Sequence, residues 1–257
     1  MIIAIWGGFA TGKSTIADAL GSLYVKHGTA GVIDTCLCWP TLPMRLPGMR
    51  LDTEHSLGRY LNRLGSNEIR PYFHQSPHCE GLFHAGLTDG DKYTDFEIGF
   101  EAVDRAREFL LESEKLLDVI ILDCSSQRTD PFLPVMLREA DVIVIPIVPN
   151  GGAVHWFGSV QSMLKDAGVI DKVLPVANAV LPFHLTDEVE KQIGIPFAAR
   201  FPMGMDIAQA CDECRLATEA NRREGIRWEN NLRKLYQEIE RRMADAAFEP
   251  ESEVVDG

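Results

Sequence analysis

The sequence predicts a mostly parallel, doubly wound α/β sheet with helices on both faces. Three observations predict it. Short β-branched apolar runs at residues 2–6, 119–123 and 142–148 have the length and two-sided apolarity of strands buried in a parallel sheet. Segments with apolar residues at helical spacing stand between such runs, so strands alternate with helices. The first run also leads directly into Gly7-Gly8-Phe9-Ala10-Thr11-Gly12-Lys13-Ser14, a glycine-rich turn that opens an amphipathic segment.

Taken in order, residues 2–6 form the first strand. Ile16, Leu20, Leu23 and Tyr24 then give the following helix one apolar face. Residues 31–34 are a second short strand that ends in Asp34. Residues 40–47 hold three prolines and are expected to be irregular. Residues 53–64 read as a short helix with Leu57, Tyr60, Leu61 and Leu64 on one face, and 81–86 as a strand between glycines. Phe100, Val103, Ala106, Leu110 and Leu117 mark a helix that feeds the strand ending in Asp123. In the 142–148 strand Pro146 favours a late position. Residues 156–164 read as helix, with Gly151-Gly152 in a surface loop before His155 and Trp156, and 173–178 as a further strand. One or two helices cover 216–243, with Gly225 as the expected break. The chain is expected to be a single nucleotide-binding domain over 1–243, followed by an acidic, disordered tail over 244–257.

The glycine loop carries the chemistry. In Gly-x4-Gly-Lys-Ser the backbone N–H groups of Gly7, Gly8, Phe9, Ala10, Thr11 and Gly12 wrap a triphosphate. Lys13 then reaches phosphate oxygens, and Ser14 reaches Mg²⁺, with Thr15 beside it. The helix that follows turns its positive dipole end to the same anion. The expected ligands are therefore ATP and Mg²⁺. Asp123, delivered by four apolar residues, is the expected Mg²⁺-associated acid. Asp34 either holds a water on Mg²⁺ or caps a loop. Lys13, Asp34 and Asp123 are the candidate catalytic residues, and Ser14 with Asp123 the candidate metal residues.

In this order the segments resemble the ParA/MinD family of P-loop ATPases, including pilus-assembly proteins of the CpaE and TadZ kind, over roughly residues 1–212. The resemblance rests on the 7–14 loop, Asp34, the strand ending in Asp123, the Ala140-Asp141 pair before an apolar strand, and Asn178. Arg200-Phe201-Pro202 with the segment 205–210 looks like the family's purine-side loop. The resemblance implies that Asn178, Phe201 and Pro202 contact the base, that ATP promotes a homodimer, and that the dimer recruits or positions partner machinery. Two departures stand out. The signature lysine that reaches a partner's phosphates would fall at Gly8, and the second acid many members place after the first would fall at Cys36. Hydrolysis is therefore expected to be slow or partner-dependent.

Composition narrows the alternatives. Net charge is −13, which disfavours generic binding to DNA or anionic lipid. Residues 215–242 carry eight basic and five acidic side chains, a segment that either meets DNA or forms a solvated helix face; the interleaved glutamates favour the face. Leu232, Leu235, Tyr236, Ile239 and Met243 form a stripe better suited to packing on the sheet than to a membrane. No run approaches the ~20 apolar residues of a membrane span, and the first strand lacks the basic flank of a signal peptide. Six cysteines read as reduced thiols of a cytoplasmic protein. Cys36/Cys38 and Cys211/Cys214 have spacings that metals use, but each pair offers only two thiols. Two other functions fit the loop. One is a small-molecule kinase, with Asp34 as base and Arg222 or Arg223 closing over phosphates; the other is a scaffold that binds nucleotide without turnover.

Overall fold

Successive side chains of a strand point to opposite faces, so a strand apolar throughout needs cover on both. The central strands here have it. The computed structural model describes residues 1–63, 68–77, 79–96, 98–220 and 223–248. Leu64, Arg222 and the tail from 249 onward, on which some expectations fall, lie outside the described residues.

The elements run β1 (Ile2–Ile5), α1 (Lys13–Tyr24), β2 (Ala30–Asp34), α2 (Leu42–Arg45), α3 (Leu57–Leu61), β3 (His74–Gln75) and β4 (Leu82–Ala85). They continue as α4 (Glu101–Ser113), β5 (Val119–Asp123), α5 (Phe132–Glu139), β6 (Val142–Ile147) and α6 (Gly151–Asp166). The last are β7 (Val173–Val180), α7 (Thr186–Ile193), β8 (Arg200–Pro202), α8 (Met205–Asp212) and α9 (Arg223–Phe248). The strands form one sheet in the order β3-β4-β2-β5-β1-β6-β7-β8, parallel throughout except for the antiparallel β3–β4 pair. A mostly parallel, doubly wound sheet is what the apolar runs required.

Ile2, Ala4 and Trp6 face one layer, where Tyr60, Phe109, Phe132 and Phe157 bring in α3 to α6. Ile3 and Ile5 face the other, built from Ile16 and Leu20 of α1, Ile207 of α8 and Trp228, Leu232 and Leu235 of α9. Full burial stabilises each isoleucine, leucine or phenylalanine among them by about 1.5–3 kcal/mol. Asp141 ties the strand starts together, because its Oδ2 accepts the Ile2 N–H at 2.7 Å.

Several expectations are corrected. Residues 40–47 are not wholly irregular: Pro43 sits in the first turn of α2, where its missing N–H belongs to an orphan position anyway. The helix expected at 53–64 is confined to α3, capped by the Ser56 side chain, which accepts the Arg59 N–H. Gly151 and Gly152 are not in a loop but in the first turn of α6, where Asn150 caps the helix by accepting the Ala153 N–H at 3.0 Å. Trp156 packs on Trp6, with ring centroids 5.3 Å apart, while His155 is exposed. Gly225 does not break the terminal helix. It lies inside α9, where a Cβ would collide with the Ala220 carbonyl, so the helix needs a glycine there to pass. α9 also runs five residues past the expected boundary at 243, to Phe248.

Candidate functional site

The loop after β1 leaves the sheet at its carboxyl edge, between β5 and β6, where open α/β sheets bind ligands. Ala10 (φ 55°) and Gly12 (φ 80°) are left-handed, and such alternation turns successive N–H groups toward one concavity. α1 begins at Lys13 with no acidic side chain in its first turn, so its positive end is unopposed there. The Lys13 ammonium donates to Gly8 O at 3.0 Å and to Ser126 Oγ at 2.8 Å, and Ser126 in turn donates to Gly7 O at 2.9 Å. Burial pushes Lys13 below its ordinary pKa, with Asp123 the leading group that opposes the shift. Phe9 projects from the loop, 91% exposed.

Strand register brings the acids together. Asp34 and Asp123 are paired neighbours at the ends of β2 and β5. Asp34 caps the following turn, accepting the Cys36 N–H at 2.9 Å through Oδ1. Its Oδ2 accepts from Arg45 Nη2 at 3.1 Å, and the same nitrogen donates to Asp123 Oδ2. Arg45 Nη1 donates to Asp18, one turn beyond Ser14 on α1. Burial opposes the charge of Arg45, but Asp18, Asp123 and Asp34 together hold its pKa above the ordinary value. Burial also raises Asp123 against the pull of Arg45, and lifts Asp18 to about 6.

Mg²⁺ fits these residues. Asp123 Oδ1 is buried without a hydrogen-bond partner, and the Ser14 hydroxyl lies close enough to lower that carboxyl's pKa. Hydroxyl and carboxylate oxygens are the donors a hard cation takes.

The remaining expected residues divide. Phe9 to Ser14 line one cavity of about 360 Å³ with Asp123 and Asp34, whereas Gly8 lines a separate cavity with Trp156. Thr15 faces away toward Cys211, with Oγ1 3.7 Å from its Sγ, so it lines a different cavity. Asn178 is next to the loop, but its Nδ2 donates to Thr11 O at 2.7 Å; it braces the loop. The expectation for Phe201 fails on burial: its ring is 0% exposed and packs on Trp228, with centroids 4.8 Å apart, so the side chain cannot meet a base. Pro202 does line an open cavity, with Val180, Arg200 and Met203. The six cysteines are free, and no group of three or more His, Cys, Asp or Glu side chains placed to hold a metal ion by themselves occurs among the described residues. Arg233, Arg241 and Arg242 of α9 are paired with Glu229, Glu238 and Asp245, and the helix's apolar stripe is buried against the sheet layer. No helix among the described residues is long and apolar enough to cross a membrane.

Sequence reasoning did not find Arg45, Ser126, or the clamp beside them. In that clamp Thr35 donates to buried Asp130 and accepts the Ser125 N–H at 2.8 Å, joining the loops that follow β2 and β5. A lone arginine among leucines and prolines eleven residues after Asp34 was the available signal for Arg45.

No protein-family model and no curated protein matches the chain in sequence. Solved structures do match in fold. MinD from Pyrococcus horikoshii, complexed with Mg-ADP, aligns with TM-score 0.73 at 16% identity over 97% of this chain and 99% of its own. Pyrococcus furiosus cell division ATPase MinD gives 0.71 at 18%, over 93% and 98%. McdA from Cyanothece gives 0.72 at 14%, over 94% and 98%. The fold is that of the MinD and ParA ATPases, as the resemblance implied.

Proposed function

We propose that the chain is an ATP-binding switch of the ParA/MinD kind, whose nucleotide-dependent homodimer positions or recruits partner machinery such as a pilus or secretion apparatus, or a DNA- or cell-positioning system. One observation carries the reading: Lys13 and Ser14 open α1 at the sheet's carboxyl edge, and register sets Asp123 beside them. In this arrangement the loop N–H groups and the α1 dipole hold phosphates, and Lys13 can exchange Gly8 O and Ser126 for phosphate oxygens. Ser14 and Asp123 would hold Mg²⁺, which would supply charge neutralisation at the phosphates. One oxygen of Asp34 is committed to the Cys36 N–H, which leaves a single oxygen to orient an attacking water. With no carboxylate at Cys36 and no lysine at Gly8, slow or partner-dependent turnover follows.

Light scattering with ADP and with ATP–Mg²⁺, alongside phosphate release on the same samples, tests the switch. A dimer in ATP–Mg²⁺ with little turnover is the expected result. Lys13→Ala is expected to weaken triphosphate binding by at least about a hundredfold, the loss of a buried charge-assisted contact; unchanged affinity by calorimetry would mean that the loop binds something else.

The kinase reading has one observation in its favour. A second cavity of about 210 Å³ adjoins Ser14 and Asp34 and is lined by Asp18, His84 and Arg215, room for a small acceptor. Rapid ATP turnover only on adding such an acceptor would favour it over the switch.

A further inference from the structure

Arg45 is buried within the site's cluster of acids, and nothing in the preceding reading uses it. Its side chain is 6% exposed, and it faces three carboxylates from three elements: Asp18 of α1, Asp34 of β2 and Asp123 of β5. Basic side chains are almost never buried unless paired, and here one cation meets three acids. A single nitrogen, Nη2, donates to both Asp34 and Asp123 and so fills the notch between them. A Mg²⁺ ion keeps most of its water and meets carboxylates largely through it. Water on such an ion would have to donate to these acids from that notch. Two donors cannot share it.

Resting on the nucleotide–Mg²⁺ reading of this site, we propose that Arg45 is a resident counter-ion of the Asp34–Asp123 pair that must yield it to Mg²⁺, and so sets the metal dependence of nucleotide binding. The guanidinium has somewhere to go. The adjoining cavity of about 210 Å³ is lined by Arg45, Asp18, Ser76 and His84, and Nη1 is already on Asp18. Withdrawal toward Asp18 keeps the arginine paired. α2 can stay in place meanwhile, because Leu42 is fully buried and its N–H donates to Leu87 O at 3.3 Å. The arginine also leaves Asp123 half-served, with Oδ1 buried and unpartnered. A divalent ion would satisfy that carboxylate more completely.

The test titrates a fluorescent ADP analogue into the full chain at Mg²⁺ concentrations from EDTA to millimolar. Arg45→Gln removes the competitor, so the Mg²⁺ needed for half-maximal tightening is expected to fall by about tenfold, a normal size for coupling between sites. An equal or higher Mg²⁺ requirement overturns the assignment. Because that variant leaves three acids without their cation, a burden on folding, the wild type supplies a second readout. Its Arg45 guanidinium signal in ¹H–¹⁵N spectra, assigned with Arg45→Lys, is expected to move with ADP plus Mg²⁺ but not with ADP in EDTA. A signal unmoved at saturating Mg²⁺–ADP also overturns it. Wild-type protein that binds no analogue at any Mg²⁺ concentration overturns the nucleotide reading itself, whereas binding with the same Mg²⁺ dependence in both proteins overturns only the role of Arg45.

Discussion

Gly12 meets two independent constraints. Its φ of 80° lies where an L side chain is strained, and a Cβ there would run into the Asn178 amide. That amide is the brace on Thr11 O, so an added methyl group would push the loop off its support. Gly12→Ala is therefore expected to cost about 1–3 kcal/mol of stability and at least tenfold in nucleotide affinity. Thermal melts and calorimetry check the two; a variant that binds normally would show that the brace is dispensable. Lys13, Ser14 and Asp123 were legible as single residues because each has a local pattern: a glycine spacing, a strand that ends in an acid. Arg45 and Ser126 were not, since their partners lie on other elements: Asp123 for Arg45, and Lys13 for Ser126, 113 residues away.

At the scale of elements, the ends of β2 and β5 are fastened by Thr35, Asp130 and Ser125. Burial raises the Asp130 carboxyl to about 7, against its hydrogen bonds from Thr35, Phe132 and Ser125. The native chain thus retains a proton between pH 4 and 7 that the unfolded chain has released. Stability from this group is full below the unfolded pKa and is lost as pH rises through about 7. Asp130→Asn mimics the protonated acid, so its stability relative to wild type should rise between pH 4.5 and 7.5 by on the order of 2–4 kcal/mol. Parallel denaturant titrations across that range would show it, and a pH-independent difference would sink it. The central strands and the helices α1, α4, α6 and α9 were legible from periodicity, α5, α7, α8, β3 and β8 were not, and ends were decided by contacts. Asn150 starts α6 earlier than its apolar spacing suggests, and the close approach of Ala220 makes Gly225 part of α9.

For the whole molecule, the test falls on the face that carries the loop. Gly8 is half-buried, and a Cβ there would meet only Thr11 at 3.6 Å and Trp156 at 3.9 Å, ordinary contacts. A lysine therefore fits at the position where the resembling family carries one. Gly8→Lys is expected to fold within about 0.5 kcal/mol of wild type and, at concentrations where ATP–Mg²⁺ gives a dimer, to raise phosphate release several-fold. A dimer with unchanged turnover would assign slow hydrolysis to Cys36 or to a missing partner instead.

The sequence by itself determined the sheet, the phosphate loop and the acid at the end of β5, because each follows from short-range pattern: two-sided apolar strands, glycine spacing, a strand's last residue. It also marked the two departures at Gly8 and Cys36. Only the tertiary structure decided what surrounds them. It turned Phe201 inward onto Trp228, set Asn178 against Thr11, and placed Arg45 between acids from three elements. The reason is physical: strand order and register choose which distant charges share one small volume, and no local periodicity encodes that choice.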